Sequence, residues 1–105
     1  MSHRVLVERA IKRMKVIKNL DEHLKIIKEV IKRLDSDADV FLFGSVAEGK
    51  YNYSSDIDIL VITDVEPSKV HLELWRSGIK EPFEIHVQPP ERAEIYRRRA
   101  RLVKI

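Results

Sequence analysis

Two carboxylates one residue apart, Asp56 and Asp58, open an otherwise apolar stretch running from Ile57 to Thr63, and a Gly44-Ser45 pair closes the apolar run Val40-Phe41-Leu42-Phe43. Residues i and i+2 of an extended strand face the same way, so the two aspartates are expected to project side by side. Two carboxylates roughly 5 Å apart repel by about 3 kcal/mol at an effective dielectric of about 20, and a divalent cation between them reverses that cost. The chain has no cysteine, and its histidines offer no paired ligand spacing. The cation expected is therefore a hard one held through oxygen, magnesium with substrate phosphates completing its shell. A D-x-D pair alone is equally well a solvated strand edge. The Gly-Ser turn tips the balance, because a strand that runs through glycine into a helix start offers backbone amides and a hydroxyl to an anion, and glycine lets a phosphate oxygen come close.

The elements that must position these groups follow from periodicity. Val7, Ala10, Ile11, Met14 and Ile17 recur at helical spacing between Val5 and Lys18, with lysines and arginines between them. Asn19-Leu20-Asp21 breaks or caps that helix, with Asp21 as a good N-cap, and Leu24, Ile27, Ile31 and Leu34 form a new stripe, so two helices or one kinked helix are expected. Asp35 to Asp39 reads as a turn and Val40 to Phe43 as a buried strand. One helical turn is expected from Ser45, stopping at Gly49, and then a polar loop from Lys50 to Ser55. Ile57 to Thr63 has the β-branched, two-sided apolar character of a central strand.

Pro67 suits the first position of a helix carrying Val70, Leu74 and Trp75 inward until Gly78, with Trp75 and Phe41 read as core. Phe83 to Val87 is a third strand, and Glu91 to Val103 a last helix after Pro89-Pro90. The fold class expected is α+β: a small mixed sheet flanked by helices, in one domain over residues 1–105. It divides into a helical segment 4–34, a core 39–88 and a C-terminal helix 91–103.

Phe43-Gly44-Ser45, ten further residues, and then Asp56-Ile57-Asp58-Ile59 resemble the signature of the DNA polymerase β-type nucleotidyltransferase superfamily. Residues 42–49 and 54–61 resemble its minimal nucleotidyltransferase (MNT) branch more closely still. The resemblance implies two magnesium ions and transfer of a nucleotidyl group from a nucleoside triphosphate, most simply AMP from ATP, to a macromolecular hydroxyl with release of pyrophosphate. Gly44 and Ser45 would hold the triphosphate, and Asp56 and Asp58 the metals. Family members usually add a third carboxylate from a later strand. Glu84 is the candidate here, although the family position is most often Asp, and the extra methylene puts full activity in question. In Phe83-Glu84-Ile85-His86-Val87, Glu84 and His86 share a face; a strand histidine of a small domain is more often structural.

So short a chain leaves no room for a separate acceptor-binding domain. The resemblance points to a helical HEPN partner in a toxin-antitoxin pair, or to a homo-oligomer surface, with a weakly catalytic antitoxin acting by occlusion as the alternative. A net charge of +3 comes from basic runs near both ends, which read as solvated helix faces, with a nucleic-acid-binding module as the less favoured further alternative. No apolar run approaches the roughly 20 residues that span a bilayer, and with no secretory h-region and no cysteine the setting expected is cytoplasmic. His3, His23 and His71 are expected to be exposed, Lys50 to meet phosphate only by chance, and Tyr51 and Tyr53 to pack in the loop rather than stack on a base.

Overall fold

A computed structural model describes residues 2–52 and 54–105; Tyr53 lies outside the described residues. Nine elements and a 3-10 turn follow in the order α1 (His3–Lys18), α2 (Leu20–Leu34), β1 (Asp39–Phe43), α3 (Gly44–Ala47), β2 (Ile57–Ile62), α4 (Pro67–Arg76), β3 (Phe83–Gln88), the turn Pro90–Arg92, α5 (Ala93–Arg99) and β4 (Val103–Lys104). The sheet order is β3-β2-β1-β4. β2 runs parallel to β3 and antiparallel to β1, so the sheet is mixed, as its sequence pattern suggests.

The period-two pattern of β2 divides the core. Ile57, Ile59 and Val61 face one side, where they pack with Val40 and Leu42 of β1, Ile27, Val30 and Ile31 of α2, and Val70 and Leu74 of α4. Leu60 and Ile62 face the other side and meet Phe41 and Ala93, with Phe43, Tyr96 and Leu102 against them. Each fully buried side chain of this kind contributes about 1.5–3 kcal/mol by leaving water. Burial on both faces explains why β2 lacks polar residues after Asp58.

Several expectations are corrected. The last helix stops at Arg99, where Ala100 turns extended, and residues 103–104 form a strand beside β1, with Leu42 opposite Val103 and Phe41 opposite Lys104. β1 thereby gains a second hydrogen-bonding neighbour, and Ile105 N–H donates to Val40 O at 3.0 Å. Pairing with a distant strand outweighs the helical reading of residues 91–103. Asn19, not Asp21, holds the N-cap position of α2, though its side chain donates back to Lys15 O rather than capping, while Asp21 sits in the first turn where its charge suits the helix dipole. Trp75 is 58% exposed, its ring lying under Lys80 Nζ at 4.3 Å, so α4 buries only Val70 and Leu74. His23 is half-buried against the Phe83 ring, centroids 5.6 Å apart. Among the described residues, no helix is long and apolar enough to cross a membrane.

Candidate active site

The site is assembled by strand register. Phe43, the last residue of β1, stands opposite Asp58, and Asp58 stands opposite Glu84 of β3. Gly44 follows Phe43 and turns with φ +76°, a left-handed backbone that glycine adopts without strain. A Cβ at Gly44 would be driven into Asp58 Oδ2, with Asp58 Cγ at 3.1 Å and Cβ at 3.3 Å. The turn and the carboxylate are therefore in van der Waals contact. Gly44 is required twice over, by its dihedral and by the side chain it faces.

On β3 the alternation of the strand puts Glu84 and His86 beside that carboxylate. One ligand atom each from Asp58, Glu84 and His86 lies within 4.8 Å of the others. His86 Nε2 is 3.3 Å from Asp58 Oδ1 and 3.6 Å from Glu84 Oε1. The donor set is two carboxylate oxygens and one imidazole nitrogen, which fits a divalent cation, though not the all-oxygen set expected from the sequence. The imidazole is fixed from behind: its ring meets the Phe43 ring edge-on at 5.0 Å, and Phe43 in turn meets Tyr96 of α5 at 6.0 Å. Tyr96 Oη accepts a hydrogen bond from Gln88 Nε2 at 3.3 Å, tying α5 to the end of β3. His86, which the sequence left as a structural residue, is thus held within the carboxylate cluster. Its shared parity with Glu84 was the available signal.

Asp56 is not part of that cluster. It lies one residue before β2, is exposed, and takes a charged contact from Arg13 of α1, Nη2 to Oδ1 at 3.5 Å. The same nitrogen is 3.5 Å from Glu81 Oε1. Arg13 was missed in the sequence, where it is one of six basic residues between Arg4 and Lys18. Ser45 is half-buried at the start of α3, whose first-turn N–H groups have no intrahelical acceptors. Lys50 is exposed, and its backbone N–H donates to Ser45 O at 2.8 Å, so the loop after α3 begins against the glycine turn.

The Nucleotidyltransferase domain family matches residues 24–104. The chain belongs to this family. No curated protein and no solved structure matches the chain. The nucleotidyltransferase match begins in α2 and ends in β4, so it takes in all four strands, the Gly44 turn, Asp56, Asp58, Glu84 and His86, and leaves α1 outside. In a nucleotidyltransferase the glycine turn beside paired carboxylates is where a triphosphate and its cations would meet. A nucleotidyl transfer needs both in one place, and here the two features touch through Gly44 and Asp58.

Proposed function

We propose that the chain transfers AMP from ATP to a hydroxyl of a macromolecular partner, with magnesium held by Asp58 and Glu84, joined by Asp56 once it leaves its contact with Arg13, and the triphosphate held by Gly44 and Ser45. The observation that carries this reading is the contact of the Gly44 turn with Asp58 inside a cluster completed by Glu84 and His86. Bound magnesium supplies charge neutralisation of the phosphates and polarisation of the α-phosphorus. Glu84 is 55% exposed against 23% for Asp58, which supports its meeting an incoming acceptor hydroxyl. Its carboxylate would take the hydroxyl proton as the oxygen bonds to the α-phosphorus and pyrophosphate leaves. His86 would keep Asp58 and Glu84 oriented through Nε2. The acceptor would belong to a HEPN-type partner, neutralised by the modification in a toxin-antitoxin pair.

A second reading, an antitoxin that acts by occlusion, is favoured by the exposed apolar residues Val7, Ile11 and Met14 of α1, which are 43%, 50% and 41% accessible. Calorimetric titration with ATP, with and without magnesium, tests the first reading. Magnesium-dependent binding should be abolished by Asp58→Asn and weakened at least tenfold by Glu84→Gln. Magnesium-independent binding, or a fully competent Asp58→Asn protein, would remove the metal role. Occlusion predicts that a partner stays neutralised when Asp56 and Asp58 are both replaced by asparagine.

A further inference from the structure

A cleft of about 470 Å³ separates α1 from the loop after α3, lined by Arg13, Met14, Ile17, Lys18, Tyr51 and Asn52. Two contacts link its lining to the candidate active site. Arg13 lines it and also reaches Asp56, and the loop that carries Tyr51 starts at Lys50, whose N–H is bonded to Ser45 O at 2.8 Å. Arg13 is a largely buried cation there whose pairing is incomplete. Its side chain is 17% exposed, its Nη2 is shared at 3.5 Å between two carboxylates, and its Nε is buried with no acceptor among the described residues. A guanidinium carries five donors in a planar fork that suits phosphate. Lys18 adds a second cation to the rim.

We propose that this cleft receives the base and ribose of the nucleotide whose phosphates lie at the Gly44 turn, with Arg13 as the joint between the two halves. The inference rests on the nucleotide-binding reading above and adds where the nucleoside part goes. A nucleobase is flat, apolar on its faces and polar at its edges, and the cleft has the complementary parts. Met14 and Ile17 form an apolar wall, and Tyr51, 49% exposed, offers an aromatic face for stacking. Asn52 Oδ1 already accepts from Ser54 N–H at 2.9 Å and Ser54 Oγ at 2.7 Å, which orients the amide so that Nδ2 is left to donate to a base edge. An apolar peptide side chain would use the wall but leave Arg13 and Asn52 idle. Four of the six lining residues come from α1, which the family match does not cover, so the subsite belongs to this chain's N-terminal helix rather than to its shared core.

The test compares two probes by calorimetry in the presence of magnesium: ATP, and inorganic tripolyphosphate, which lacks the nucleoside. Tyr51→Ala should weaken ATP about tenfold or more and leave tripolyphosphate unchanged, since stacking on a base is lost and phosphate contacts are not. Tyr51→Phe should stay within about twofold of wild type, and Arg13→Gln should weaken both probes. Met14→Ala, at a position 41% exposed, repeats the ATP-selective loss without altering the loop. If ATP binds and neither Tyr51→Ala nor Met14→Ala changes its affinity, the base lies elsewhere and this inference fails while the nucleotide site stands. Equal losses for ATP and tripolyphosphate in Tyr51→Ala would also overturn it, showing that Tyr51 only supports the phosphate turn. Failure of the wild type to bind either probe would instead defeat the nucleotide-binding reading itself.

Discussion

α1 and α2 are neighbours of nearly equal length, 16 and 15 residues, and both carry an apolar stripe between basic residues. α2 buries Ile27, Val30 and Ile31 to 3% exposure or less; α1 buries no residue completely. The difference lies in what each faces. α2 lies on the sheet, against β1 and β2, whereas α1 packs along α2 and sends Arg13 to the loop before β2. The ends differ as well: Lys32 Nζ donates to Ala38 O, and the carboxylate of Asp35, which follows α2, accepts from Thr63 Oγ1 beyond β2 at 2.6 Å. One helix builds the fold, and the other is added to the site. The family match starts at residue 24, inside α2, and leaves the whole of α1 outside.

The comparison breaks most readily at its strong side. Ile31→Ala removes a side chain that is 1% exposed from the centre of the larger core cluster, and such truncations cost about 2–5 kcal/mol. Urea unfolding should show a loss in that range with an unchanged denaturant slope. A loss below about 1 kcal/mol would mean that α2 is no better anchored than α1.

Periodicity made both helices legible and could not tell them apart, because an apolar stripe records that a face can be buried, not that something covers it. The apolar run of β2 was legible as a central strand, since both its faces are apolar. β4 was not: two residues, Val103 and Lys104, are defined by pairing with a strand some sixty positions earlier. The site shows the same division. Gly44 and Asp58 could be named from residue type and spacing, and Glu84 from the family resemblance. His86 needed the register that sets Asp58 opposite Glu84, and Arg13 needed the packing of α1, 43 residues away from Asp56 in sequence. Trp75 misled because size and aromaticity suggest burial, while its position on α4 turns it outward beneath Lys80.

A smaller effect sharpens the contrast between the helix ends. The Thr63 hydroxyl, then the Asp37 backbone N–H at 3.0 Å, hold the Asp35 carboxyl below the usual carboxylate range, with Lys32 adding to them. A carboxyl whose folded pKa is depressed stabilises the fold above its unfolded value, about 3.9, and that contribution disappears as pH falls through the folded value. Thr63→Val should therefore be less stable than wild type at pH 7, and the gap in urea midpoint should narrow as the pH drops below about 4. A gap that stays constant across that range would assign the loss to packing of Thr63, which is 4% exposed, rather than to the ionised Asp35.

The smallest effect is expected on α1 itself. Ile11 is 50% exposed, so Ile11→Gln, which does not lower helix propensity, removes little buried area and should change stability by less than about 0.5 kcal/mol. The measurement is most informative at two protein concentrations. If a second copy covers the stripe, binding stabilises the folded state by mass action and the wild-type unfolding midpoint rises with concentration. Ile11→Gln would then lower the midpoint only in the concentrated sample. A concentration-independent midpoint, unmoved by the substitution, would leave α1 with its apolar face in water, and the contrast with α2 would stand. A loss of several kcal/mol in the dilute sample would instead show that α1 is core in solution and that the two helices are alike.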